Sequence, residues 1–212
     1  MTTPETLWQT RPGALSRRHA LQQVAVLALA GLTLAASGSA RATTDTASAA
    51  QVGVPLPAEL TSALPAAHTL GTGRLRFLGM GIYDARLWVS SGFNASAYAQ
   101  SPLALELGYL RSLSGKLIAE RSLKEMRRQG SLPAEREQAW LQAMQAAFPD
   151  VNAGDRITGL HTPGVGARFW FNGQPRPAVP DAEFSRLFFG IWLSDASSEP
   201  QMRERLLGRS PQ

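Results

Sequence analysis

The chain has 212 residues and no cysteine, which excludes disulfides, thiol catalysis, a lipid-anchored cysteine and cysteine-ligated metals. It carries 21 basic against 16 acidic residues, a formal +5. Four of the arginines and one glutamate fall in the first 42 residues, however, and the remainder stands at 17 against 15. That near balance, with no basic stripe beyond one helix face, gives no footing for nucleic acid.

The first 42 residues read as an address. Arg17 and Arg18 precede an apolar run from Val24 to Ala36, and Ala40-Arg41-Ala42 supplies a small-residue cleavage signature. This is the order of a bacterial export signal and predicts a periplasmic protein. The run is shorter than the roughly 20 apolar residues of a bilayer span, so no stable membrane span is expected once it is removed. An uncleaved anchor is the alternative. Ser16-Arg17-Arg18 is similar to a twin-arginine signal, with Ala20 where that signal prefers Phe and no Lys after Leu21. About 170 residues remain, enough for one domain with a single core.

Residues 43–66 begin as a Thr/Ser/Ala linker and become a proline-punctuated lead-in, with little regular structure expected before His68. "GRLRFLGMGIYDARLWV", Gly73 to Val89, reads as one long strand with Gly79 and Gly81 marking a bend or bulge in its middle. Pro102 to Leu113 alternates, with Leu103, Leu105, Leu107, Tyr109 and Arg111 on one face and Ala104 and Glu106 on the other. A helix follows, capped by Ser114 and ended by Gly130, with Leu117, Ile118, Leu123 and Met126 as its stripe. A second helix runs from near Pro133 to Pro149, with Trp140, Leu141, Met144 and Phe148 inward.

Two strands, Asp155 to Thr162 and Ala167 to Phe171, are joined by "PGVG". Asn172-Gly173 signals a hairpin into a short third strand. Asp181 caps the largely apolar "AEFSRLFFGIWL", and Ser198 caps a last helix ending at Gly208. Strands before and after a helical pair indicate an α+β domain with a mostly antiparallel sheet.

Few residues invite chemistry. Outside the leader only His68 and His161 remain, placed in loop or strand-end positions, and a metal site needs three or four converging ligands, so no metal is expected. There is no G-x-S-x-G elbow. The glycines of "GTGRLRFLG" precede a strand rather than a helix, so they cannot cradle phosphate. Arg121, Lys124, Arg127 and Arg128 read as a solvated helix face near the negative end of the helix dipole.

Taken together, "GRLRFLGMGIYDARLW", "LSGKLIAERSLKEM", "FWFNGQP" and "FFGIWLSD" resemble the chalcone isomerase-like superfamily, in particular its exported bacterial branch. The resemblance covers about Leu70 to Leu207, within a domain drawn at 67–208. It implies an open-faced β-sandwich: a long, curved antiparallel sheet covered by a layer of helices, with a ligand cleft between. Laid on the plant enzymes' motifs, their polar active-site positions fall at Leu78, Ile118, Glu125 and near Phe184, which argues against chalcone isomerisation.

The resemblance also extends to fatty-acid carriers, in which an Arg and a Tyr hold a carboxylate. It implies Arg74 or Arg76 as the cation and Tyr83 or Tyr109 as the phenol. Leu78, Met80 and Ile82 would line the cavity. Tyr83 has the opposite strand parity to both arginines and could join them only through a bulge at Gly79 or Gly81. On the alternative reading the arginines pair with strand neighbours and the apolar residues are plain core. For Asp84 and Arg86 a mutual or cross-strand ion pair is expected. The function classes are thus a non-catalytic binder of a small apolar or carboxylate ligand, a ligand-free accessory envelope protein, and an isomerase. No cofactor is implied.

Overall fold

A computed structural model describes residues 54–209. The expected export signal and the first part of the linker lie outside the described residues. Six strands run in chain order across one antiparallel sheet: β1 (His68–Phe77), β2 (Met80–Val89), β3 (Leu103–Tyr109), β4 (Arg156–Thr162), β5 (Gly166–Phe171) and β6 (Gln174–Val179). Four helices accompany them: α1 (Gly115–Met126), α2 (Ala134–Ala147), α3 (Ala182–Leu193) and α4 (Pro200–Leu206). This is the open, helix-covered α+β sheet expected from the resemblance.

The β3 alternation is realised. Leu103, Leu105, Leu107 and Tyr109 join the core beneath the helices, while Ala104 and Glu106 face the other way. Arg111 lies beyond the strand end. The helices contribute Ala119, Leu123 and Met126 from α1, Trp140 and Met144 from α2, and an aromatic run from α3. In that run Phe184 and Phe188 stack with centroids 5.5 Å apart, and Phe148 and Phe169 meet edge to face at 5.1 Å. Asp181 caps α3 as expected, accepting from the amides of Glu183 and Phe184. The last helix starts later than Ser198: Glu199 precedes it and Pro200 opens it. On the outer edge strand β6, Pro175 and Pro177 remove ladder donors that would invite another strand.

The stretch Gly73 to Val89 is not one strand. The chain reverses at Leu78-Gly79, and β1 and β2 form a hairpin pairing Arg74 with Asp84 and Phe77 with Met80. Both turn residues have positive φ, 49° and 79°, which in a two-residue loop defines a type I′ turn. A bulge does exist, where Ile82 is the extra residue between the Leu75–Tyr83 and Arg76–Gly81 pairs. The glycine pair of the lead strand has a packing role. A side chain on Gly71 would collide with the Arg205 carbonyl oxygen of α4, and one on Gly73 would crowd Met202.

The lead-in is also more ordered than composition suggests. A single 3-10 turn, Ala58–Leu60, lies on the sheet face opposite the helices. There Leu60 and Leu64 are fully buried with Trp88, Ala104 and Leu160. Glu59 pins the turn, accepting from Arg156 at 2.6 Å and from the Thr158 hydroxyl at 2.9 Å. Although burial opposes ionisation, these donors hold the Glu59 carboxyl below its ordinary value. Burying two leucines supplies about 1.5–3 kcal/mol each, sufficient to order a short segment built on one 3-10 turn.

Candidate functional site

Strand alternation and the β1–β2 register separate the expected site residues. Tyr83 and Tyr109 are directly opposed across β2 and β3 on the helix-facing side, their rings edge to face at 6.0 Å. Arg74 and Asp84 are opposed on the other face, joined by two hydrogen bonds of 2.5 and 2.7 Å. The guanidinium holds the Asp84 carboxyl below the usual carboxylate range. Arg76 reaches the Gly79 carbonyl at the turn, at 3.4 Å. The structure therefore brings the two tyrosines together and sets the two arginines apart from them. The bulge does not carry Tyr83 to the arginine side. Arg86 likewise pairs across the strand, with Glu106 at 3.5 Å.

The cavity lining expected from Leu78, Met80 and Ile82 is corrected by the hairpin. Leu78 is 79% exposed at the turn and Met80 is also exposed; only Ile82 is buried. The Gly73–Val89 reading failed because no Asn or Asp announces the turn.

Around the tyrosines lies a polar knot beneath α1 and α3. Trp192 donates its indole N–H to the Tyr83 hydroxyl at 3.0 Å. Burial pushes the Tyr83 phenol well above its ordinary value, partly offset by that hydrogen bond, with Glu199, Arg121 and Glu125 acting on it more weakly. Tyr109 is 3% exposed. Burial, and then the neighbouring Tyr83, push its phenol up further. Among the described residues no hydrogen bond reaches the Tyr109 hydroxyl. Its oxygen is not among the fully buried side-chain atoms that lack a partner, so the hydroxyl carries no unpaired-donor penalty.

Glu125, aligned with a plant active-site position, sits in the supposedly solvated cluster of α1 yet is itself buried. Its oxygens meet Arg121 at 2.8 Å and Arg128 at 3.6 Å, and Oε2 has no hydrogen bond. Two guanidiniums face this carboxylate, and Glu199 brings a second negative charge to bear on Tyr83. Of the positions aligned with plant active-site groups, Leu78 is at an exposed turn, Phe184 is inside the aromatic core and Ile118 is half-buried. Glu125 alone carries a polar side chain.

His161, expected near the surface, is instead buried. The Ala99 carbonyl, 3.1 Å from Nε2, can only accept, so Nε2 carries the proton and Nδ1 accepts from Ser185 Oγ at 2.6 Å. Burial lowers its pKa. Both side chains are closed off from solvent, so this Ser–His pair is a core contact and has no substrate to attack. No group of three or more metal-binding side chains occurs among the described residues. A separate cleft of about 280 Å³ opens at the far end of the hairpin, lined by Leu70, Val89, Phe93, Leu207, His68 and Arg209. Its arginine is shared with Glu204 at 3.4 Å.

Comparison with known proteins agrees with this architecture. A family model described as chalcone isomerase-like matches residues 50–208. An uncharacterized protein of Haemophilus influenzae is 30% identical over 153 residues, which is 70% of this chain and 73% of that one. The crystal structure of an Arabidopsis thaliana fatty-acid binding protein superposes with a TM-score of 0.52 at 14% identity, over 67% of this chain and 87% of that chain. The last shows a shared fold, and the first two establish kinship: the chain belongs to the chalcone isomerase-like family.

Proposed function

We propose that this protein is a non-catalytic binder of a small apolar ligand with an acidic head, such as a long-chain carboxylate, held between the sheet and the α1–α3 layer. The observation that carries the reading is the Tyr109 hydroxyl, which makes no protein hydrogen bond among the described residues, beside Tyr83 and the Arg121–Glu125–Arg128 cluster. A phenol donates to a carboxylate, and the Arg121 and Arg128 guanidiniums lie close enough to attract one. The fatty-acid binding protein that shares the fold supports this class of ligand. Tyr83 and Tyr109 are kept as ligand contacts. Arg74, already neutralised by Asp84 on the opposite face, is not, and Arg76 is placed with the turn.

Titration with a fluorescent fatty acid tests this. Wild type should bind saturably. Tyr109→Phe should weaken binding by about two- to tenfold, the worth of one hydrogen bond, and Arg74→Ala should change it less than twofold. Absence of saturable binding would end the ligand reading in favour of an accessory protein. Loss of binding in Arg74→Ala alone would move the site to the outer face. The protein is further proposed to act in the periplasm after cleavage near Thr43. An N-terminus at Met1 on the protein recovered from cells would contradict that, and continued export of an Arg17→Lys, Arg18→Lys chain would exclude the twin-arginine route.

A further inference from the structure

The β1–β2 turn breaks two rules at once. Leu78 has φ 49°, a left-handed conformation that a leucine rarely adopts, and its side chain is largely in water. The Asn172-Gly173 turn of the same chain has nearly the same φ values, 49° and 80°, and uses the residues that geometry prefers. The fold therefore had a better choice at position 78, and leucine there serves neither the turn nor solubility.

Its neighbours complete a patch. Phe77 and Met80, paired across the hairpin, and Leu110 are also exposed. Leu110 reaches the Gly81 backbone, and a side chain on Gly81 would lie within 2.8 Å of it. Arginines ring these residues. Arg74 lies alongside Gly81, Arg76 bonds the turn carbonyl, and Arg111 touches the Met80 sulfur at 3.6 Å. Asp84 answers Arg74, but Arg76 and Arg111 have no carboxylate within 4 Å among the described residues. A side chain on Gly79 would meet nothing within 4 Å, so the turn has open space beside it.

We propose that this hairpin tip docks the protein on an anionic phospholipid surface, with Leu78 and Met80 entering the acyl boundary and Arg76 and Arg111 meeting lipid phosphates. Shape and charge together select this occupant. A peptide or folded partner offers a groove or a flat complement, whereas a narrow apolar tip with a cationic collar suits a fluid interface that closes around it. No helix among the described residues is long and apolar enough to cross a membrane, and a two-residue hairpin tip can enter only the interface. It stands whether or not the inner face binds a ligand.

The absence of cysteine permits a local test that is insensitive to the N-terminal residues. Leu78→Cys and, as a control, Val165→Cys, an exposed apolar residue on the β4–β5 loop, are each labelled with an environment-sensitive nitrobenzoxadiazole. They are mixed with phosphatidylglycerol/phosphatidylcholine vesicles or phosphatidylcholine alone. The label at 78 should brighten and shift to the blue with the anionic vesicles and be quenched by spin-labelled acyl chains, while the label at 165 stays unchanged. Arg76→Ala and Arg111→Ala in the Leu78→Cys background should each weaken partitioning about fivefold, with unchanged far-UV dichroism showing an intact fold. No response at 78, or an equal response at 165, overturns the proposal. A blue shift that needs no vesicle and grows with protein concentration overturns it in favour of a second copy of the chain.

Discussion

The two type I′ hairpins share a backbone and differ in everything the backbone does not dictate. At the β5–β6 turn, Asn172 is woven into the fold. Its side chain accepts from the Arg156 amide at 2.8 Å and donates to Asp155 at 2.9 Å, and its own amide bonds the Arg156 carbonyl. At the β1–β2 turn, Leu78 has no polar group to offer, and its side chain points into solvent. The first residue is explained by what it holds together. The second is not explained from within the fold, and the meaning of the tip has to be sought in what it touches.

The largest expected effect is at the explained turn. Asn172→Leu removes two side-chain hydrogen bonds and puts a poor residue in the left-handed region. It should cost about 2–3 kcal/mol in urea-induced unfolding. The same substitution should let the Asp155 carboxyl rise toward its ordinary value, since Asn172 is the first cause of its depression. A loss under about 0.5 kcal/mol would mean that the side chain of Asn172 is incidental and the contrast false.

The hairpin of β1 and β2 has an electrostatic counterpart. Arg74 lowers the pKa of Asp84, so the pair adds stability above the unfolded carboxylate value of about 3.9. That contribution is lost as pH falls through the lower folded value. The stability gap between wild type and Arg74→Ala should therefore be present at neutral pH and close below about pH 4. Both groups are about half exposed and screened by solvent, so the gap should be small. A gap that widens in acid would contradict the pairing.

Tyr109→Phe should sharpen the other half of the account. Without ligand it should leave stability within about 0.5 kcal/mol of wild type, because the hydroxyl makes no protein hydrogen bond among the described residues. A clear loss in thermal unfolding would show that the hydroxyl is already satisfied and weaken the ligand reading.

How much of this was legible beforehand follows the same contrast. Asn172-Gly173 announces its turn, and the structure turns there. Leu78-Gly79 carries no such signal inside an apolar run, so two strands read as one, and the cavity lining inferred from Leu78 and Met80 fell with it. Alternation in β3 and the Asp181 cap were legible because each rests on local chemistry. The burial of Leu60 and Leu64 was not, since it depends on the outer-face hollow around Trp88 that only tertiary packing creates. Glu125 hid for a similar reason: among Lys124, Arg127 and Arg128 it reads as solvated, yet it neighbours Met126, a core residue of α1. The family motifs pointed to the two tyrosines, which the structure brings together. They could not tell that Arg74 faces the other side of the sheet, because that depends on the hairpin register.

The smallest change is the most direct test of the claim that Leu78 was not chosen by the fold. Leu78→Asn installs the residue that the other turn uses, at a position with little packing to lose. Equilibrium unfolding in urea should show a gain of about 0.5–1 kcal/mol, opposite in sign to Asn172→Leu. A loss of 1 kcal/mol or more would show that leucine at this turn stabilises the hairpin, and that the tip is as much a product of the fold as the turn it was compared with.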